Sequence, residues 1–181
     1  LERGNEIFLF ADCGCVIQPT SEQILEIAEA SLRTWQGFAS IMDKPKVAFL
    51  SFSTKGSVSH KEVAKVQEAT RSFQKRHPDI MCDGELQFDA AIDPEVRKRK
   101  APQSAFDGKP NIFIFPSLEA ANIGYKIACR LAGFKAYGPF LQGLRAPYSD
   151  LSRGASYEEV LVTSYVNLLQ SSRSSGTKGA L

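Results

Sequence analysis

Lys46-Val47-Ala48-Phe49-Leu50-Ser51-Phe52 runs directly into Ser53-Thr54-Lys55-Gly56-Ser57, and a charged stretch at about 59–75 follows. The first seven residues are an apolar run of strand length, the next five a polar turn with a flexible glycine, and the rest predicts a helix. Parallel strands need such a crossover, usually helical, so strand, turn and helix in this order point to a parallel sheet. The same order recurs on both sides. Upstream, Ile7-Phe8-Leu9-Phe10-Ala11 is closed by Asp12 and precedes Pro19-Thr20-Ser21-Glu22-Gln23. There Thr20 can cap a helix and Gln23 can reach back to it. Ile24, Ile27, Ala28, Ser31 and Trp35 then keep helical spacing to about Ala39. Downstream, Asn111-Ile112-Phe113-Ile114-Phe115 is stopped by Pro116 before a helix over 118–132. A last strand-like segment, 136–141, leads through the Gly- and Pro-containing stretch 143–154 into a final helix at about 156–169. Residues 81–91 read as less regular, and the next residues as a short basic helix ending in Arg97-Lys98-Arg99-Lys100. The alternation predicts an α/β fold, a sheet covered on both faces in an α/β sandwich. There is no internal repeat, and the Ser- and Gly-rich tail, 171–181, reads as frayed.

A chain of 181 residues with 43% hydrophobic residues can bury the core of one domain or slightly more. Its formal charge is only +2, from 22 basic and 20 acidic residues, so no long-range field points to nucleic acid or an anionic membrane. An anionic ligand must be held locally. No apolar run approaches the roughly 20 residues of a membrane span, and the first residues lack the order of a signal peptide. The chain reads as cytoplasmic. Cys13 and Cys15 have no second close pair to complete a zinc tetrahedron, which argues against metal. With Cys82 and Cys129 they read as buried or structural thiols, a reactive thiol being the alternative. His60 and His77 fall near the two ends of one predicted helix and read as surface residues.

Three polar segments sit at ends of predicted buried strands, where open α/β sheets bind ligands. Ser53, Thr54, Lys55, Gly56 and Ser57 offer hydroxyls, a cation and free N–H groups at a helix entrance, yet an ordinary capped loop explains them too. In Asn122-Ile123-Gly124-Tyr125-Lys126 the glycine either permits close helix packing or makes room for a ligand that Asn122, Tyr125 or Lys126 contacts. In Asp150-Leu151-Ser152-Arg153-Gly154-Ala155-Ser156-Tyr157-Glu158-Glu159, a capping box from Ser156 accounts for Glu159. It accounts less well for Ser152 and Arg153, because a guanidinium beside a hydroxyl at a positive helix end makes an anion site. Asp83, Glu85 and Asp89 read as a hydrogen-bonded or solvated cluster rather than a magnesium site. The basic run 97–100 reads as an exposed helix face, with contact to a nucleotide's phosphates as the alternative.

Together these segments resemble the phosphate acetyl/butyryl transferase family. Phe10-Ala11-Asp12-Cys13, the 50–57 stretch, Asp83-Gly84-Glu85-Leu86-Gln87-Phe88-Asp89-Ala90-Ala91, Asn122-Ile123-Gly124-Tyr125-Lys126, Gly138-Pro139, Gln142-Gly143-Leu144 and Asp150-Leu151-Ser152-Arg153-Gly154 occur in the order seen in its acetyl-transferring members. The resemblance covers about residues 7–170. It implies the second domain of a two-domain enzyme, a three-layer α/β/α sandwich of isopropylmalate-dehydrogenase-like fold. On that pattern residues 1–138 form the second α/β domain, and 139–181 return to the absent first domain. It further implies reversible acetyl transfer between coenzyme A and inorganic phosphate in a ternary complex, without metal, bound cofactor or acyl-enzyme. CoA, acetyl-CoA, phosphate and acetyl phosphate would be the substrates and a homodimer the assembly.

By the same resemblance Ser152 and Arg153 match the catalytic serine and arginine, and Glu159 stands where the family has an aspartate as general base. Ser53, Thr54, Lys55 and Ser57 match the phosphate-facing loop, and Asn122, Tyr125 and Lys126 positions near the acyl and CoA site. Two other readings remain: a non-catalytic acetyl-CoA-sensing domain, as in malic enzyme fusions, and phosphate butyryltransferase. Val160, Leu161, Tyr165, Leu168 and Leu169 give the last helix an apolar face that the family docks on its first domain.

Overall fold

The computed structural model describes residues 1–38, 42–151 and 153–174. Two short strands, β1 (Glu2–Arg3) and β2 (Glu6–Ile7), pair antiparallel at the start. Then β3 (Leu9–Ala11), β4 (Lys46–Leu50), β5 (Met81–Leu86) and β6 (Ile112–Ile114) form a parallel sheet in the order β3-β6-β4-β5. Val47 lies beside Ile112 on one side and Cys82 on the other, and Phe10 beside Phe113. The chain leaves a gap between β3 and β4 that β6 later fills, so all four carboxyl ends open on the same edge.

Helices flank this sheet. Alternation sends Val47, Phe49, Ile112 and Ile114 towards α1 (Ser21–Gln36) and α2 (Lys61–Arg76), where they pack with Ile24, Leu32, Val66 and Phe73. It sends Ala48, Leu50 and Phe113 to the opposite face. There they meet Ala90 and Ala91 of α3 (Phe88–Ile92), Ala101 after α4 (Pro94–Lys100), and Ala121 of α5 (Leu118–Ala132). Phe49, Phe73 and Phe113 are wholly buried, each stabilising the fold by roughly 1.5–3 kcal/mol relative to an exposed ring. Local capping fixes the helix starts. Thr20 and Gln23 form a reciprocal capping box, Asp93 caps α4 ahead of Pro94, and Ser117 caps α5, which ends on Gly133 in the left-handed conformation.

Beyond the sheet, β7 (Phe140–Leu141) and β8 (Tyr148–Ser149) make a small antiparallel ladder, and α6 (Tyr157–Ser174) completes the described chain. The inward side of α6 is mixed, with Val162 and Val166 half-buried beside polar groups. Its Thr163 is buried, and Asn167 accepts from Ser149 Oγ at 2.9 Å. Val160, Leu161, Tyr165 and Leu168 are 41–65% exposed, so the apolar face read from the sequence does point outward. No helix among the described residues is long and apolar enough to cross a membrane.

Several expectations need correction. The 81–91 stretch is not irregular, because β5 is a six-residue strand whose polar Asp83 and Glu85 are buried. The 136–141 segment yields strand only at Phe140 and Leu141, because Gly138 takes a positive φ just before them. The 7–11 run is divided, with Ile7 in the antiparallel pair and the parallel ladder beginning at Leu9. Arg97 does not belong to an exposed face. It is 5% exposed, donates to the carbonyls of Ala91 and Gly108, and lies against the Phe106 ring. His77 is half-buried against Phe73 and Glu29, and Cys15 is exposed.

Candidate functional site

The polar loop that follows β4 closes around a carboxylate from β5. Glu85 is 2% exposed, and its Oε1 accepts from Ser53 Oγ at 2.8 Å and from the Gly56 N–H at 2.7 Å. The Lys55 N–H donates to the Glu85 carbonyl at 3.1 Å. Burial alone would raise the Glu85 pKa, but the donors from Gly56, Ser53 and Gln67 outweigh it and hold the acid below its ordinary value. Ser53 is fully buried, its Oγ 3.3 Å from Ser57 Oγ, while Thr54 N–H donates to Ser57 Oγ at 3.1 Å. Thr54 Oγ1 donates to Gln87 Oε1 and accepts from the Gln87 N–H. Lys55 reaches over β5 to Asp83 and, at 2.9 Å, to the Gly84 carbonyl.

Of the acidic group, Asp83 therefore pairs with Lys55, Glu85 holds the loop, and Asp89 pairs with Lys100 at 2.7 Å. Among the described residues no set of three or more His, Cys, Asp or Glu is arranged to hold a metal ion. The sequence reading put Glu85 in that acidic group and missed its place in the loop. The available signal was an acidic residue just before Leu86 in a segment otherwise able to form strand.

A second loop is built in the same way after β3. Asp12 accepts from the N–H groups of Gly14, Cys15 and Val16 at 2.8, 3.0 and 2.8 Å. Asn122 in the first half of α5 donates to the Cys13 carbonyl at 3.3 Å, tying that helix to this loop. Gly124 faces Phe115, where a Cβ would stand 3.3 Å from the ring, which is the close-packing role. Burial raises the Tyr125 pKa, and Lys126 Nζ lies 5.8 Å from the Tyr125 ring centre. Burial also pushes the Cys13 and Cys82 thiols up to about 12, which keeps both protonated near neutrality.

In the 150–159 segment the Asp150 N–H donates to the Pro139 carbonyl at 3.2 Å. Arg153 is exposed and has no hydrogen bond or ion pair among the described residues, and Ser152 lies outside them. Glu159 is committed to a reciprocal box with Ser156: Ser156 N–H donates to Glu159 Oε2 at 2.6 Å, and Glu159 N–H to Ser156 Oγ at 3.2 Å. Its neighbour Glu158 takes a bidentate bond from Lys135 at 2.7 and 2.9 Å and another from Tyr137 OH at 3.1 Å. The structure thus joins Ser53, Thr54, Lys55 and Ser57 in one cluster and Asn122 to the loop after β3. It shows no direct bond from either group to Arg153 or Glu159.

A parallel sheet flanked by helices, with polar loops gathered at its carboxyl edge, defines an open α/β fold, the kind whose ligand sites lie at that edge. More closely, the chain belongs to the phosphate acetyl/butaryl transferase family, whose model matches residues 1–167. It is 50% identical over 161 residues to the phosphate acetyltransferase of Bacillus subtilis (strain 168), covering 88% of this chain and 49% of that protein. Among solved structures it resembles the EutD phosphotransacetylase from Staphylococcus aureus, with a TM-score of 0.87 and 46% identity over 94% of this chain and 52% of that one. A phosphotransacetylase from Streptococcus pyogenes gives 0.88 and 46%, covering 95% of this chain and 52% of that one. The chain spans about half the length of these relatives.

Proposed function

We propose that the chain supplies one half of an enzyme that moves acetyl reversibly between coenzyme A and inorganic phosphate. The observation that carries this reading is the 50% identity to a phosphate acetyltransferase over 88% of the chain. In it, residues 1–138 are the second domain of an isopropylmalate-dehydrogenase-like enzyme, a three-layer α/β/α sandwich, and 139–181 return to the first domain. The reaction lies in the cleft between them.

In the direction of acetyl-CoA synthesis, the CoA sulfur bonds to the carbonyl carbon of acetyl phosphate while Glu159 accepts the thiol proton. Negative charge gathers on the carbonyl oxygen, and the bond from that carbon to the phosphate oxygen then breaks, releasing phosphate. An unperturbed thiol has a pKa of about 8.5, so a carboxylate base assists attack near neutrality. Ser152 donates to the reacting group and Arg153 offsets charge on the phosphate or the developing oxyanion. Ser53, Thr54, Lys55 and Ser57 serve the phosphate side, and Asn122, Tyr125 and Lys126 the acyl and CoA side. The working form is a homodimer in the cytoplasm.

The test is an acetyl phosphate assay on the full-length protein with acetyl-CoA and phosphate, run beside butyryl-CoA. Preferred turnover of acetyl-CoA is expected. Tight acetyl-CoA binding without turnover would replace the reading by a sensing domain, and preference for butyryl-CoA by a butyryltransferase.

A further inference from the structure

The loop after β4 has the form of an anion cradle that is already full. Lys55 and Gly56 take positive φ values of 49° and 80°, which turn the chain so that successive N–H groups point at Glu85. The Lys55 N–H meets the Glu85 carbonyl, and the Gly56 N–H meets the carboxylate together with Ser53 Oγ and the Gln67 side chain. Ser53 Oγ also accepts from the Val58 N–H at 3.2 Å, so the hydroxyl on Glu85 is tied to both ends of the loop. Ser57 then receives Thr54 N–H on its Oγ while remaining exposed. The arrangement is a chain of dependence: Glu85 fixes Ser53 and Gly56, Ser53 meets Ser57, and Ser57 receives the Thr54 N–H, while the Thr54 side chain is held separately by Gln87. Glu85, 2% exposed, lies at the wall of an open cleft of about 390 Å³ that Gly56, Gln67, Arg71 and Gly84 also line.

We propose that Glu85 is the resident anion around which this loop is built, and that it serves acetyl transfer as a positioning residue, setting Ser57 through Ser53 at the carboxyl end of β4 without touching substrate. The inference rests on the reaction proposed above. Ser53 then acts through Glu85, and substrate phosphate does not enter the ring of donors that Glu85 occupies. The same donors hold the Glu85 acid below its ordinary value, in keeping with an ionised carboxylate that accepts more strongly than a neutral acid.

The experiment uses the full-length enzyme with Glu85→Gln and Glu85→Ala, measuring kcat, KM for phosphate and thermal midpoint, with and without sodium formate as a carboxylate that fits the vacated place. Glu85→Gln is expected to raise KM for phosphate by about tenfold with a smaller change in kcat. Glu85→Ala is expected to lower both the thermal midpoint and kcat/KM, and formate to restore both in that variant, with sodium chloride at equal ionic strength having no such effect. Formate should do neither in the wild type. A lower KM for phosphate in Glu85→Gln would overturn the proposal, since it would mean that substrate phosphate competes for the ring. A lowered thermal midpoint with unchanged kinetics at temperatures where the variant is folded would overturn the positioning role. If Glu85→Ala does not fold, the Gln variant decides through KM. If the wild type forms no acetyl phosphate, the reaction reading fails separately. The positioning role then falls with it, while formate rescue of the thermal midpoint still decides whether Glu85 is the loop's anion.

Discussion

Gly84 lies so close to Phe49 that a Cβ added to it would stand 2.6 Å from the Phe49 Cβ, and 2.7 Å from Thr70 Oγ1. Here the β4–β5 ladder is irregular, with Gly84 and Glu85 opposite Phe49 alone, and β5 can pass so close to β4 and α2 only with a glycine at that point. Gly84→Ala must push strand or helix aside, and overpacking of a full core costs roughly 1–3 kcal/mol. The expected result is a lower urea midpoint with an unchanged slope. A midpoint equal to that of the parent would show that β5 shifts without strain.

Arg153→Ala in the full-length protein is expected to cut acetyl transfer by orders of magnitude while the thermal midpoint stays put. The second half of that outcome follows from the exposed, unpartnered state of Arg153 among the described residues. Undiminished turnover would remove this arginine from the reaction.

Glu159 is held by Ser156 as a helix cap, so its two possible roles separate by substitution. Glu159→Gln keeps an acceptor for the Ser156 N–H and should leave stability nearly intact, yet it cannot take a proton and should slow transfer. Glu159→Asp should keep or raise activity. A Gln variant as active as the parent would leave Glu159 as a cap alone.

Acid should loosen the 53–57 loop in a defined window. The Glu85 carboxyl is depressed in the folded protein from an ordinary value of 4.5, so above 4.5 its contribution to stability is fully present. As pH falls below 4.5 the unfolded chain takes up the proton first, and the contribution is lost as pH passes the folded value. Glu85→Gln should therefore flatten the fall in stability between pH 6 and about pH 3, read from urea midpoints at each pH. Parallel curves for parent and variant would assign the acid sensitivity to other carboxylates, of which Glu6, Glu62, Asp89, Asp107 and Glu158 are also depressed.

The 181-residue chain made alone should fold, because both faces of its sheet carry their own apolar layers, and it should show no acetyl transfer. Mixing it with the other half of a full-length relative should restore some activity, measured as acetyl phosphate formed. Robust turnover by the chain alone would mean that the site is complete within it.

The sequence made the parallel α/β layout legible because the strands at Val47, Phe49, Ile112 and Ile114 are buried on both faces and therefore unbroken apolar runs. Thr20 with Gln23, and Ser156 with Glu159, announced helix starts because capping is local chemistry. What stayed hidden depends on contacts distant in sequence. Asp83, Gly84 and Glu85 look like turn residues until Lys55 and Ser53, about 30 positions earlier, arrive to satisfy the carboxylates. Arg97 looked like one of four surface cations because nothing local reveals the Gly108 carbonyl and Phe106 ring that bury it. In the candidate site the residue types were readable, whereas their division between internal bonds and open valence was not.

The bond from Lys135 and Tyr137 to Glu158 has a geometric consequence for the lone arginine. With Ser149 held to Asn167 on one side and Glu158 held on the other, Arg153 sits on a leash fastened at both ends. Four links separate it from Ser149 and five from Glu158, so its Cα can travel at most about 14 Å from the first and about 18 Å from the second. The exposed guanidinium thus has a fenced territory. Loosening a fastening, by Lys135→Ala and Tyr137→Phe together, enlarges that territory without altering the arginine itself.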